Sequence, residues 1–433
     1  MFTLYKSLHI YNRKLKNRFD EIVLVCASAI TPAVSLIANI IYMRFVNPEA
    51  FGIIQSYIIL TPYFTLLGFG LVNGLNRNIA LYEGLGKNEI VSEQVNAAYT
   101  WVLLIVLIQL LIWFVIAFSA YKADLGNFHL FTIIAVAVHS ATTPLKAFFD
   151  TTFRASRNFF KFGAILWSQH LLTVLLPWLA LFYGKYGVAM SIAFIAFAGT
   201  LVRFIVSNPF KIEIKYISIH TFKDLISSGF LVMINGYLFG LIAVSDRSVT
   251  ALLLDDISLG EITLASLIFT GVRFIPISFS MLIYPKASFA YGKTGSVKIL
   301  RKYLYLSILL NISFLIPIAS LLYVSIGPLI IIFMPDYIGA ITAAQIAAIG
   351  SALLFFSGSN ISFMVMKKNH LFTINLLLAL GASWIGGFYS ISAGYGIEGP
   401  ILARTFAIGI LGILTTWQAM RITKEPLAHN NCI

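Results

Sequence analysis

Apolar runs long enough to cross a lipid bilayer follow one another along almost the whole chain. Twelve can be read, near residues 21–45, 51–72, 96–119, 129–150, 160–183, 187–206, 226–254, 261–285, 303–325, 340–365, 369–392 and 399–420. A hydrocarbon core about 30 Å thick is crossed by roughly 20 helical residues. Within that core each backbone N–H and C=O must be satisfied inside the segment, which makes these runs helices. Of the 433 residues, 59% are hydrophobic and 11% charged. A soluble domain carries about 25% charged residues, so this chain lacks the charge to cover a soluble surface. The expected fold is all-α and polytopic.

The net charge of +13 would, in a soluble protein, raise the question of nucleic acid. Its distribution answers otherwise. With twelve spans and the N-terminus inside, 23 Lys and Arg fall on the inner side and four on the outer: Arg44, Lys122, Lys185 and Arg247. Lys146, Arg273 and Arg404 lie within spans. Short loops rich in Lys and Arg stay cytoplasmic, so the imbalance sets both termini inside, and the basic excess is accounted for by topology and anionic membrane lipid. No nucleic-acid partner is expected. Cys26 and Cys432 both fall near the cytoplasmic side, where a disulfide is not expected. An Ala-Ser-Ala triplet at 27–29 has too little apolar sequence before it for a cleaved signal, and Val25 before Cys26 argues against lipoprotein processing. Ahead of the first span, Leu4, Leu8, Tyr11, Leu15 and Phe19 recur at helical spacing among Lys6, Arg13, Lys14, Lys16 and Arg18. That pattern predicts an amphipathic helix on the inner leaflet, with a disordered basic leader as the alternative.

No loop exceeds about 25 residues, so there is no room for an extramembrane catalytic domain. A repeat is visible instead. "NPEAFGIIQSYIIL" opens the second span and "DDISLGEITLASLIF" the eighth, with Gly52 208 residues before Gly260. "YGKYGVAMS" and "AGYGIEGPI" open the sixth and twelfth, with Gly187 209 residues before Gly396. The short basic-aromatic connections "FRASRNFFKF" and "VMKKNHLF" are about as far apart. Six spans per repeat is an even number, so the halves run parallel, a known transporter plan with the substrate path at the interface. The expected division is a cytoplasmic N-terminus (1–20), an N-lobe (21–207), a linker (208–225), a C-lobe (226–420) and a tail (421–433).

Intramembrane polar residues sort by helix face. His139, Thr143, Lys146, Asp150 and Arg154 share one face of the fourth span, and Thr263, Ser266, Thr270, Arg273 and Ser280 one face of the eighth. Ser228, Asn235 and Asp246 align on the seventh, and Ser28, Thr31, Ser35 and Asn39 on the first. Ser and Thr are common glue between membrane helices, but a buried Lys or Arg needs water or a counter-ion. Arg273 lies about 18 Å from either end of its span, too deep to snorkel, with Pro276 beside it. Lys146 is about 12 Å from the inner edge, with Pro144 nearby and Asp150 one turn on as a candidate partner. Asp246 sits about 30 Å along the seventh span; cavity lining and anchoring at the outer headgroups are both open for it, as they are for Arg404 on the twelfth. The expected site is a cationic cavity of Arg273, Lys146, Arg247 and Arg404 for an anionic head group. His139, Thr143, Thr270, Ser266, Asn235 and Asn39 would form its polar lining, and Asp246 and Asp150 would serve a coupling proton or sodium ion. No metal or other cofactor is expected, and no GxxxxGK[ST] phosphate loop is present.

On three segments the chain resembles the bacterial polysaccharide (O-antigen, Wzx-type) flippases of the multidrug/oligosaccharidyl-lipid/polysaccharide exporter superfamily. They are "SDRSVTALLLDDISLGEITLASLIF" with "SMLIYPKAS" (245–269 and 280–288), "FMPDYIGAITAAQIAAIGSALLF" (333–355) and "GYGIEGPILARTFA" (394–407). The resemblance implies a V-shaped pair of six-helix lobes with spans 1, 2, 7 and 8 lining the cleft, in the bacterial inner membrane. It implies a substrate too: an undecaprenyl-diphosphate-linked oligosaccharide carried between leaflets by alternating access, with the glycan polymerase and chain-length machinery as partners. The nearest rival reading is a multidrug or toxin antiporter of the same superfamily, which usually needs acidic cavity residues. A major-facilitator transporter is disfavoured by "NGLNRNIALYEGLGKNE" (73–89), and a glycan polymerase or ligase, the enzyme reading, by the lack of a large outer loop.

Overall fold

The computed structural model describes the backbone of residues 2–206, 208–366 and 368–424 and, outside residues 2–19, 22, 29, 281 and 285, their side chains. Among the described residues every regular element is a helix, α or 3-10. Eleven stretches among the described residues are long and apolar enough to cross a membrane. One of them, Phe159–Ile205, has 47 residues and a turn in its middle. There the Ser191 hydroxyl donates to the Leu176 carbonyl at 2.6 Å, although 15 residues of straight helix would separate them by about 22 Å. Gly184 breaks helical geometry (φ 55°, ψ −133°). The stretch is therefore two antiparallel passes, which restores the twelve expected from the apolar runs and makes this a multi-pass membrane protein.

Packing divides the chain into two compact units. The first comprises the chain up to Phe45 together with Phe64–Met233, and the second comprises Val46–Tyr63 and the chain from Ile234 onward. The first unit contains α1 (Phe2–Phe45), α3 (Leu71–Gly84), α4 (Asn88–Lys122), α5 (Asn127–Ala155), α6 (Phe159–Leu175), α7 (Leu179–Ile205) and the first part of α8 (Ile219–Leu253). α1 runs without interruption from residue 2; the amphipathic pattern expected over residues 4–19 rests on side chains outside the described residues. Along α4, Leu107, Leu111, Phe114, Val115 and Phe118 are exposed, the apolar stripe that a lipid-facing helix presents. Residues 208–218 run along α4 and α5: the Glu213 and Lys215 amides donate to the Asn96 and Thr100 side chains, and Asn208 donates to Thr152. Glu213 lies between Lys211 and Lys215, whose ammonium groups hydrogen-bond to it and hold its carboxyl down to about 2. At the start of α8, one oxygen of Asp224 accepts from three neutral donors, Gln94, Tyr82 and Asn78, at 2.6, 3.0 and 3.3 Å.

The second unit contains α2 (Pro48–Ile58), the rest of α8, α9 (Asp256–Val272), α10 (Phe274–Thr294), α11 (Val297–Phe333), α12 (Ile341–Ala352), α13 (Asn360–Val365), α14 (Asn369–Ser392) and α15 (Glu398–Ile422). Lipid tails are as apolar as Leu, so close packing rather than water exclusion holds such helices together. α12 accordingly buries small residues, Ala343, Ala344, Ala347 and Ala348, each fully covered.

The expected repeat appears as matched local geometry. Asn47 caps α2 by accepting from the Ala50 amide, and Asp255 caps α9 by accepting from the Ser258 amide, at corresponding positions of the two halves. The Ser258 hydrogen bonds hold the Asp255 carboxyl below its ordinary range. A Cβ on Gly52 would overlap the Asp256 carbonyl oxygen, and one on Gly260 would overlap that of Pro48. The two basic-aromatic connections end alike, with the Asn158 amide bonded to the Phe153 carbonyl and the Lys368 amide to that of Phe363.

Candidate functional site

In the first unit, Pro144 on α5 removes one backbone donor, and the charged face of the same helix follows it. His139, Lys146 and Asp150 are half-buried, and Thr143 is exposed. Asp150 does not take Lys146 as its partner. Its two oxygens accept from Nε and Nη2 of Arg203 on α7 at 2.7 and 3.1 Å, and Arg203 Nη1 donates to Gln169 Oε1 and the Gly199 carbonyl. A bidentate guanidinium–carboxylate pair with its remaining donors satisfied is the strong form of this contact. The expectation of a Lys146–Asp150 pair is corrected on that ground. Lys146 stays within electrostatic reach of Asp150, Arg203 and His139, yet no carboxylate among the described residues lies within ion-pair distance of it. Sequence reasoning counts Arg203 with the sixth loop and so misses it. Its signal is a lone Arg flanked by "GTLV" and "FIV", a charge set too deep in an apolar run to be a loop residue. Asn39 on α1 donates to the Ser35 carbonyl of its own helix.

In the second unit, Asp246 on α8 is buried with Arg404 on α15 and Ser266 on α9. Arg404 Nη1 donates to Asp246 Oδ2 at 2.5 Å and to Ser266 Oγ at 3.1 Å, and Ser266 donates to the same carboxylate oxygen. The Arg404 guanidinium rests 4.4 Å over the Phe269 ring and is fully buried. Arg247, next to Asp246 in sequence, points elsewhere, as adjacent helical residues must, and no ion pair joins the two.

Arg273 stands at the junction of α9 and α10. Pro276 has no N–H to return to the Val272 carbonyl, so the helix is interrupted here. The half-buried guanidinium lies 4.2 Å over the Phe239 ring of α8 and has no carboxylate within ion-pair distance among the described residues. About one turn from Phe239 along α8, Asn235 accepts from Thr373 at 2.6 Å, while Thr270 is exposed and donates to the Ser266 carbonyl. No group of three or more metal-ligating side chains occurs among the described residues.

Each unit thus holds an Asp–Arg ion pair, and among the described residues Lys146 in the first and Arg247 and Arg273 in the second have no carboxylate at ion-pair distance. Residues 20–288 match the family described as Polysaccharide biosynthesis protein, well over half of the chain. The chain belongs to the polysaccharide biosynthesis protein family. The match includes the segments at 245–269 and 280–288; those at 333–355 and 394–407 lie beyond it. A comparison with curated protein sequences returned no match. Among solved structures, the chain is similar to an inward-facing multidrug resistance MATE family transporter of the MOP superfamily. That likeness has a TM-score of 0.75 at 13% identity, covering 93% of this chain and 98% of the other. An outward-facing MATE family transporter gives 0.65 at 14% identity, covering 93% and 94%. A MOP superfamily transporter from Pyrococcus furiosus, described as having a binding pocket of reverse polarity, gives 0.66 at 14% identity, covering 94% and 96%. At these identities the likeness establishes the fold of this polysaccharide biosynthesis protein: the MOP arrangement of membrane helices.

Proposed function

We propose that the chain is a flippase that moves an undecaprenyl-diphosphate-linked oligosaccharide, an O-antigen or related surface repeat unit, from the inner to the outer leaflet of the bacterial cytoplasmic membrane. The observation that carries this reading is the charge balance of the two units. Asp150 and Asp246 are each occupied by an arginine, whereas Lys146 and Arg273 have no carboxylate at ion-pair distance among the described residues. An unneutralised cation at membrane depth costs several kcal/mol and marks a place where an anion is meant to arrive. A diphosphate supplies such an anion, and Arg presents its planar fork to phosphate oxygens.

The glycan presents many hydroxyls, each costly to strip of water, so an aqueous path open in turn to each side lets it cross while the prenyl tail stays in lipid. A polymerase and chain-length machinery would act on the product, and both termini would be cytoplasmic. Asp150 and Asp246 would serve a coupling proton or sodium ion by exchanging their arginine partners for it.

The deciding experiment is a strain lacking this chain. Lipid-linked glycan retained on the inner leaflet, with loss of surface polysaccharide, is the expected result. Normal surface glycan with new drug sensitivity would sink the flippase reading and favour export of cationic drugs.

A further inference from the structure

Between α12 and α13 the tenth span changes its winding. Leu353–Ser359 is a 3-10 stretch of seven residues, about twice the length at which such runs usually stop. Three residues per turn align every third residue in a row, and two of these rows meet neighbouring helices. On one side Leu353 and Phe356 lie over Gly409 and Gly412 of α15, and the Ser359 hydroxyl shares a hydrogen bond of 2.7 Å with that of Thr416. On the other, the Phe355 carbonyl accepts from Asn311 Nδ2 of α11 at 3.3 Å, and the Ser307 hydroxyl fills the space that a Cβ on Gly358 would take. The α15 row is satisfied and the α11 row is not. Ser307 and Asn311 are fully buried, yet Ser307 Oγ and Asn311 Oδ1 have no hydrogen-bond partner among the described residues. The bond from Nδ2 to Phe355 fixes which way round the amide sits, so Oδ1 is the atom left over. Buried polar atoms without partners carry a desolvation cost and call for a group that meets them in some state of the protein.

We propose that Leu353–Ser359 is a two-register switch: it converts between this 3-10 form and an α-helical form in which Ser359 replaces Gly358 against Ser307 and Asn311. An α-helix turns about 100° and rises about 1.5 Å per residue, against about 120° and about 2.0 Å for a 3-10 helix. Over this stretch the difference amounts to about 140° of rotation and about 3.5 Å of length. With α12 held still, the conversion carries Gly358 away from α11. It brings Ser359 to within about 20° of the direction Gly358 now faces and about 1.5 Å of its height. The Ser359 hydroxyl then leaves Thr416 and meets the two α11 atoms that lack a partner. Admitting a hydroxymethyl group where a glycine sits requires α11 and this stretch to part slightly, so the two registers are discrete states. The six residues of α13 are drawn toward α12 and turned with the stretch. The switch lies wholly within the second unit and does not depend on the glycan reading.

The test uses the purified full chain with Cys26→Ser and Cys432→Ser and a spin label at each of Ile349→Cys on α12 and Met364→Cys on α13. Ile349 and Met364 are 56% and 46% exposed, so labels fit there without unpacking the span. Pulsed dipolar spectroscopy reads their separation. The 3-10 register gives a long distance, and the α register one shorter by about 3.5 Å or more. Thr416→Val removes the present partner of Ser359. Gly358→Ala puts a Cβ on the Ser307 hydroxyl and favours α-helix. Each should raise the short-distance fraction several-fold. Adding Ser307→Ala to Thr416→Val removes a group that receives Ser359 and should return the chain toward the long distance. A distribution unchanged by Thr416→Val overturns the switch, and so does a short distance that persists undiminished when Ser307→Ala is added. Should Gly358→Ala fail to fold, the measurements with and without Ser307→Ala in the Thr416→Val chain decide alone.

Discussion

Gly52 and Gly260 occupy corresponding positions in the two halves of the sequence, and each faces the first turn of the other's helix, Gly52 against the Asp256 carbonyl and Gly260 against that of Pro48. A Cβ at either position would sit inside the contact radius of backbone, which cannot yield as a side-chain tip would. Gly52→Ala or Gly260→Ala should lower stability by about 1–3 kcal/mol through overpacking. Gly84→Ala, where a Cβ meets open space, is the control and should be neutral or slightly stabilising. Thermal unfolding of the three purified variants distinguishes a backbone crossing from a coincidence of spacing; equal midpoints would remove the crossing.

The caps at the two helix starts allow a matched comparison. Asn47→Ala and Asp255→Ala each remove an acceptor for a first-turn amide, and each should cost about 1 kcal/mol. Denaturation of both variants is the measurement, and a loss in only one of them would show that the two starts are not energetically equivalent.

Arg203 is 2% exposed and gives two nitrogens to Asp150. Arg203→Gln should cost about 3 kcal/mol, near the lower end for breaking a buried pair because Asp150 remains 21% exposed. Lys146→Gln should leave stability unchanged or raise it, since it removes a cation without a carboxylate partner at membrane depth, while lowering transport. Protein level and midpoint, read beside transport, separate the two roles; a large stability loss in Lys146→Gln would make it a structural charge.

Arg273→Ala should abolish glycan transport at normal protein level, and Arg273→Lys should restore it in part, because an ammonium keeps the charge without the fork. Full transport by the Ala variant would take Arg273 out of the substrate path.

Asp246→Asn should flatten the dependence of transport on pH or sodium if the carboxylate exchanges Arg404 for a coupling cation. The variant also leaves Arg404 unpaired, so its level and midpoint are measured alongside. An unchanged dependence in a folded variant leaves Asp246 as the structural partner of Arg404.

The spans and the repeat are legible in the sequence because each is written locally: a run of apolar residues, a glycine before a crossing, a capping Asn or Asp. The doubled stretch Phe159–Ile205 is legible for the same reason, with "YGKYG" marking the turn that length alone would miss. Pairings are not. Asp150 has Lys146 one turn away on its own helix and Arg203 on a different one, and the nearer cation loses because only the guanidinium reaches both carboxylate oxygens. Arg404 and Asp246 lie on helices far apart in sequence and are both candidates for the same cavity, but nothing in the spacing of either helix shows that they neutralise each other. The triple acceptance by Asp224 is hidden likewise, since Asn78, Tyr82 and Gln94 come from two different helices.

The way packing divides the chain bears on how such a protein could have arisen. Val46–Tyr63 comes from the first half of the sequence yet packs with the second unit, while the opening turns of α8, fixed through Asp224, pack with the first. An ancestor made of one six-helix half would have lacked α9 as the seat for its α2. A second copy would have had to supply it. Duplication and fusion would then have made permanent an exchange that two separate chains already practised, and cutting the chain between residues 207 and 208 should yield fragments that assemble together but fold poorly alone.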